Sequence, residues 1–334
     1  MNLNAHDMLE RFLRRDSLSA PEATQLAHML ADGSVVPPMA GALLAALRAK
    51  GETADEVRGL ADGLRELATL PEFKTPPNAC DLVGTGGDGS HSYNISTGSA
   101  LLAAAAGATI VKHGNRSISS RSGAADLLAA LGIEVPMPDP RGSLQSFGFV
   151  YLHAPAYHPA MATIAPIRKA LGVRTVFNIL GPLTNPARPP FGVIGAFSPE
   201  VAELMANALS GMAIKRVFVV HGEPSWDEAT PVGPFLQFDV RPGRVERSIR
   251  DPQVAGIRQC SPDELKGGTP EENADALRRV LQGEDTGAHR DALALTAGLA
   301  LEVSGVVESL QSGVARALDA IASGRAAQVL ERLR

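Results

Sequence analysis

CDLVGTGGDGSHSYNISTGSALLAAAAGATIVKHGNR, residues 80–116, reads as a short apolar strand, a glycine-rich loop, a helix, a second strand and a polar loop. Four glycines fall between Asp81 and Thr97. Glycine loses more backbone freedom on folding than any other residue, so this concentration needs a reason. A strand, a glycine loop and a helix N-terminus together present backbone N–H groups to an anion. Gly84, Thr85, Gly86, Gly87 and Asp88 are the candidate loop. Asn94, Ser96 and Thr97 open the helix with side chains able to bond phosphate oxygens. The bland alternative is a tight turn with ordinary caps. The stretch is neither GxxxxGK[ST] nor a full GxGxxG pattern, which weakens nucleoside-triphosphate and nicotinamide readings.

The second loop, KHGNRSISSRSGAAD at 112–126, also leads from a strand into a helix. It puts Lys112, His113, Asn115 and Arg116 at a strand's C-terminal end, the edge where open α/β sheets bind ligands. A solvated loop is the plain reading of its cations, but two such loops in consecutive units lie side by side. A third element is HGEPSWDEAT at 221–230. Its adjacent Asp227 and Glu228 are expected to be exposed at a strand end. Such pairs are usually surface charge, yet magnesium takes one or two carboxylates plus phosphate oxygens.

Outward from these loops, apolar runs alternate with helical stretches: ATIVKHG at 108–114, FGFVYLHA at 147–154, GVIGAF at 192–197 and RVFVVHG at 216–222. This alternation predicts an α/β unit with a mostly parallel central sheet flanked by helices. FLQFDVRPGRVERSI at 235–249 reads as a hairpin turning at Pro242-Gly243. Residues 1–75 read as a small all-helical domain. Ser19 with Glu22 and Thr53 with Glu56 make capping boxes, and Leu43, Leu44 and Leu47 share one helix face. The segment 158–187 breaks the alternation and is expected to pack back onto those helices. The small domain is then 1–75 joined by 158–187, and the α/β domain is 76–334.

Bulk properties narrow the function classes. The net charge of -5 argues against a nucleic-acid or membrane-surface partner. Two cysteines, Cys80 and Cys260, match no metal spacing and are expected to be reduced thiols. MNLNAHDMLERFLRRD at the N-terminus shows no signal-peptide h-region, and the apolar run Ala100–Val111 is too short to span a bilayer. A cytoplasmic protein acting on small molecules is expected.

The stretches DLVGTGGDG, NIST, KHGNRSISSRSGAADLLAALG, YHPAM, IRKALGVRTVFNILGPLTNPA, HGEPSWDE and GGTPEENA resemble the anthranilate phosphoribosyltransferase family of tryptophan biosynthesis, in the family's order. The resemblance implies a nucleoside phosphorylase/phosphoribosyltransferase-like fold and commonly a homodimer through the helical domain. It implies transfer of the phosphoribosyl group of phosphoribosyl pyrophosphate to the amine of anthranilate, with Mg²⁺ as cofactor. By the resemblance, Gly84, Thr85, Gly86, Gly87, Asp88, Ser92, Asn94, Ser96, Thr97, Lys112 and position 124 hold the donor. Asp227, Glu228 and Ser96 hold the metal. Gly84, His113, Asn115, His158 and Arg168 receive anthranilate, and Lys112 and Arg168 are the catalytic candidates. The planar fork of Arg168 suits a carboxylate.

Some positions depart from the family's pattern. Ala124 stands where many members have serine, Ser92 where threonine is common, and Trp226 precedes Asp227 unusually. RDALALTAGLAL lacks the asparagine usual in the family's LNAA stretch, with Thr296 present. Three rivals follow: a transferase for another aromatic amine, a pyrimidine nucleoside phosphorylase, and a non-enzymatic nucleic-acid-binding relative. No nucleophile or strong general base stands out, so positioning and leaving-group stabilisation are expected to carry catalysis.

Overall fold

The computed structural model describes residues 3–116 and 121–334; residues 117–120 of the second loop lie outside the described residues. Four helices open the chain: α1 (Ala5–Leu13), α2 (Ala20–Ala31), α3 (Pro37–Lys50) and α4 (Ala54–Glu66). Both expected capping boxes form, Ser19 with Glu22 on α2 and Thr53 with Glu56 on α4. α2 and α4 approach closely because α4 carries Gly59 and Gly63. A Cβ at Gly59 would stand 2.1 Å from the Ala20 carbonyl oxygen, and one at Gly63 would stand 2.7 Å from the Ala27 Cβ.

The sheet has seven strands: β1 (Ala79–Gly84), β2 (Thr109–Gly114), β3 (Phe149–His153), β4 (Phe191–Gly195), β5 (Arg216–His221), β6 (Phe235–Arg241) and β7 (Arg244–Arg250). Their order is β3-β2-β1-β4-β5-β6-β7. The first five are parallel, and β6 and β7 add the expected antiparallel hairpin. Helices α5 (Ile95–Ala105), α6 (Ala124–Ala130), α7 (Pro140–Phe147), α8 (Ala154–Tyr157) and α9 (Met161–Leu171) follow β1, β2 and β3.

One face of the sheet is covered by α5 together with the C-terminal helices. Among these, Ala288–Val303 has a buried run from Asp291 to Val303. On the other face, a single apolar cluster joins Phe12, Leu26, Leu43 and Leu60 of the helical bundle to Ile164 of α9 and to Phe177, Ile179 and Leu183. It continues to Val217 and Val219 of β5. The segment 158–187 therefore lies between the bundle and the sheet, with Ile164, Phe177, Ile179 and Leu183 in a core shared by both, while Val173 is exposed and Ala187 joins a separate cluster with Val111 and Leu152.

Candidate active site

The sheet places the site before any side chain does. β1 is flanked by β2 on one side and β4 on the other, so the chain's winding direction reverses there. The crevice beyond the C-terminal ends of such strands is where open α/β sheets take ligands. β1 ends at Gly84 and β4 at Gly195, paired in register. Both glycines are needed to let Asp227 in. A Cβ on Gly84 would lie 2.3 Å from Asp227 Oδ2, and one on Gly195 would lie 1.5 Å from the Asp227 carbonyl oxygen.

The loop after β1 turns through Gly86, Gly87 and Gly89, with φ of 68°, 71° and 77°. These are left-handed values open to glycine without strain. The Gly86 N–H and the Thr85 hydroxyl donate to Asp227 Oδ2. Asp88 accepts from the Ser90 N–H and hydroxyl at 3.0 and 2.9 Å, and from the Asp227 N–H at 3.2 Å. Glu228 accepts from the Ser92 hydroxyl at 2.9 Å and the Ser96 N–H at 3.2 Å. The glycine loop, the start of α5 and the Asp227-Glu228 pair thus form one network.

The carboxylate pair is not exposed, contrary to the sequence expectation: Asp227 is 7% exposed and Glu228 is half-buried. Gly222 and Trp226 form a β-bridge with Trp226 buried. This turn folds 222–230 back over the ends of β1 and β4. Burial raises the carboxyl pKa of both residues, and the like charge of Asp88 raises it further. Clustered acidic oxygens at such a cost suit a hard divalent cation. Among the described residues no three His, Cys, Asp or Glu side chains form a ready-made metal group. A magnesium ion held by Asp227 and Glu228 would therefore draw further oxygens from substrate and water. Ser96 Oγ faces inward and accepts from Lys112 Nζ at 3.3 Å.

Lys112 is not on a solvated loop but inside β2, 2% exposed. Its ammonium donates to the Leu82 carbonyl and to Ser96 Oγ, which sets it between β1 and the start of α5. Burial lowers its pKa to about 8, with Asp81 opposing that shift. Asp81 is buried on β1, and desolvation raises its pKa to about 6. It accepts from the His113 N–H at 3.2 Å and from Asn185 Nδ2 at 2.8 Å, and Asn185 also donates to the Val111 carbonyl. Asp81 and Asn185 escaped the sequence reading, although a lone acid inside an apolar strand run was a signal.

On the acceptor side, the rings of His113 and His158 meet edge to face at 5.1 Å. Both are buried, and the Nε2 of each has no hydrogen-bond partner. Burial pushes the His113 pKa to about 3 and lowers that of His158, so both rings are neutral at pH 7. Two orphaned polar atoms are what a bound polar group would satisfy.

Arg168, on α9, lies over the Phe177 ring at 5.6 Å and has no ion pair among the described residues. Neither the histidines nor the loop hydrogen-bond to it. Asn115 and Arg116 are exposed; Arg116 pairs with Asp126 at 2.8 Å, so the solvated reading holds for that cation. Ala124 opens α6 without a hydroxyl. Arg174, singled out by no spacing rule, stacks on Phe197 at 4.3 Å and donates to the Gly87 carbonyl.

Two family profiles match the chain. The one described as glycosyl transferase family, a/b domain, covers residues 76–327. The one described as glycosyl transferase family, helical bundle domain, covers 6–68. Anthranilate phosphoribosyltransferase of Synechococcus sp. is 43% identical over 332 residues, 98% of this chain and 95% of that protein. The crystal structure of the Thermus thermophilus anthranilate phosphoribosyltransferase superposes with a TM-score of 0.92 at 42% identity, covering 98% of each chain. The Saccharomyces cerevisiae enzyme in complex with PRPP and Mg gives 0.89 at 26% identity, covering 98% of this chain and 96% of that one. The same yeast enzyme is also known in complex with 4-fluoroanthranilate, with a TM-score of 0.86, 25% identity and the same coverage.

Proposed function

The chain belongs to the anthranilate phosphoribosyltransferase family, and from that premise we infer the reaction it carries out. It transfers the phosphoribosyl group of 5-phosphoribosyl 1-pyrophosphate to the amine of anthranilate and releases pyrophosphate, with Mg²⁺ as cofactor. The observation that carries this reading is the single network tying the glycine loop, the Ser96 end of α5 and the Asp227-Glu228 pair together over the β1–β4 crevice.

In this reading the N–H groups of the loop, with the Ser96 and Thr97 hydroxyls at the start of α5, take the donor's phosphates. Lys112 adds a positive charge. Asp227, Glu228 and Ser96 would hold magnesium, which would supply positive charge to stabilise the leaving pyrophosphate. Anthranilate lies toward His113 and His158, with Arg168 gripping its carboxylate. Its nitrogen bonds to C1 of the ribose, the C1–O bond to pyrophosphate breaks, and the nitrogen gives up one proton. The transition state resembles an oxocarbenium ion with negative charge growing on the leaving group. Lys112 and the loop N–H groups are aimed at that growing charge. We also propose a homodimer through the helical domain, supported by the exposed apolar Leu13 and Val36 on it. A cytoplasmic location is supported by two free thiols, Cys80 and Cys260.

Anthranilate fluorescence tests the reaction directly. It will decay when enzyme, donor and Mg²⁺ are all present, and hold steady when any one is left out. No decay with substrates at about 1 mM, the upper end of ordinary KM values, sinks anthranilate as the acceptor. A screen of other aromatic amines then follows.

The buried Lys112 adds a pH signature. Its ammonium must stay charged to face phosphate, and its pKa in the free protein is near 8. The donor's kcat/KM, which reports the free enzyme, will therefore fall above about pH 8. Bound phosphate favours the charged form, so the corresponding limb in kcat will lie at higher pH. Stability moves the other way. The folded-state pKa is depressed, so between about 8 and the ordinary lysine value the unfolded chain binds more protons. Lys112 therefore adds stability as pH rises through that window. A flat kcat/KM between pH 7 and about 9.5, a span covering the stated pKa, counts against Lys112 as the charge facing the donor.

A further inference from the structure

GGTPEENA at 267–274 has no part in the chemistry described so far, yet it forms the back wall of the donor loop. The Gly267 N–H donates to the His91 carbonyl, and Lys266 forms a β-bridge with Ser92. A Cβ on Gly267 would lie 2.6 Å from the Ser92 carbonyl oxygen. From this wall a chain of three hydrogen bonds runs inward. The Gly268 N–H donates to Asn273 Oδ1 at 2.7 Å, Asn273 Nδ2 donates to Asn94 Oδ1 at 2.8 Å, and Asn94 Nδ2 donates to the Ser122 carbonyl at 2.9 Å. Asn273 is 2% exposed.

The direction of this chain is not a matter of choice. Its first group is a backbone N–H, which only donates, and its last is a backbone carbonyl, which only accepts. Both amides are therefore held in one orientation, each fixing the next.

What the relay holds is an uncommon backbone conformation. Asn94 precedes α5 with φ 65° and ψ 46°, left-handed values for a residue that is not glycine, and its side chain makes no cap bond to the helix. Such a conformation is disfavoured for residues with a side chain, though least for Asn, and persists where the surroundings over-determine it. The Asn94 carbonyl accepts from the Thr97 and Gly98 N–H groups, so its geometry sets where α5 begins. Its amide meanwhile ties α5 to the second loop at Ser122.

We propose that Asn273 is a positioning residue of the donor site. Through Asn94 it fixes the start of α5, with Ser96 and Thr97, against the second loop. This rests on the donor site assigned under Proposed function. None of the relay's hydrogen bonds involves His113, Asn115, His158 or Arg168, so its loss falls on the donor side first.

Asn273→Asp separates this role from a merely structural one. Its carboxylate still accepts from the Gly268 N–H, so the wall keeps its bond. It cannot donate to Asn94 and turns a negative oxygen toward Asn94 Oδ1. Kcat/KM for the phosphoribosyl donor is expected to fall about tenfold or more, which is about 1.4 kcal/mol. The KM for anthranilate should change by less than about twofold, below 0.5 kcal/mol on the same scale. A protonated carboxyl donates one bond and accepts another, as the amide does. The deficit, expressed as a ratio to wild type at each pH, should therefore shrink toward about pH 6 for a buried carboxyl with a raised pKa. Wild-type kinetics in Asn273→Asp at every pH overturn the proposal. So does a lowered melting temperature with donor and acceptor KM unchanged or raised alike. If the aspartate variant does not fold, Asn273→Ser is measured instead, and a donor KM equal to wild type overturns the proposal. Calorimetric titration of each protein with the donor and Mg²⁺ keeps the test independent of anthranilate. If wild type fails to turn over anthranilate, the acceptor reading fails alone, and the donor Kd ratio still decides the role of Asn273.

Discussion

Replacing Asp227 with Asn and Glu228 with Gln together will lower kcat/KM for the phosphoribosyl donor by about a hundredfold or more, the scale of losing a charge-stabilising group at a leaving group. The fold will survive. The amide put in place of the Asp227 carboxylate retains an oxygen to accept from the Gly86 N–H and the Thr85 hydroxyl. The one put in place of the Glu228 carboxylate keeps an oxygen for the Ser96 N–H and turns its NH2 toward the Ser92 hydroxyl, which can accept in place of donating. The charges themselves are a burden on the folded chain without metal. Both carboxyl pKa values are raised by burial and then by Asp88. The native state thus binds protons that the unfolded chain releases above the ordinary carboxylate range. Stability from these groups falls as pH rises through that window, and the double amide removes the effect. At pH 7 the variant should melt no lower than wild type. Donor with Mg²⁺ should raise the melting temperature of wild type, because a ligand that binds only the native state stabilises it. It should raise that of the variant little. Wild-type magnesium dependence in a folded double variant means the metal lies elsewhere.

Arg168→Ala will raise the KM for anthranilate by about ten- to a hundredfold. That is the loss of a charged hydrogen bond worth about 1.5–3 kcal/mol, at about 1.4 kcal/mol per factor of ten. The donor's KM will move much less. A competing account, in which Arg168 only pairs with an acid across the domain boundary, finds no support, since the residue has no ion pair among the described residues. Truncation therefore strands no buried carboxylate. The fold loses chiefly the contact with Phe177, at 5.6 Å from the guanidinium and worth about 0.5–1 kcal/mol where partly exposed. Arg168→Lys should not restore binding, because an ammonium cannot make the paired grip of a planar fork. Steady-state kinetics in both substrates beside a thermal melt decide it. An unchanged anthranilate KM in a well-folded variant removes Arg168 as the carboxylate anchor.

The sequence by itself determined the elements and the local chemistry, because those depend on neighbours in the chain. The capping boxes at Ser19 and Thr53, the strand runs, the hairpin at Pro242-Gly243 and the glycine-rich loop after β1 are all short-range consequences of residue type. Each was legible before any packing was known. The motifs also carried the resemblance to the family, and the strand-end placement of GTGGDG and KHGNR marked where an α/β sheet binds ligands.

Tertiary structure decided burial and partnership. Lys112 and Asp227 both look like surface charge in a linear reading. Lys112 is buried because a strand in the middle of a sheet buries both its faces. Asp227 is buried because the turn at Trp226 folds its segment over Gly84 and Gly195, residues 143 and 32 positions before it. The relay from Asn273 to Asn94 spans 179 positions, and no local spacing rule reaches that far. Asn185 supports Asp81 from 104 positions away. A buried amide is chosen for the groups it must satisfy. In this protein those groups are brought to it by the order in which the strands pair, which a reading of neighbouring residues does not contain.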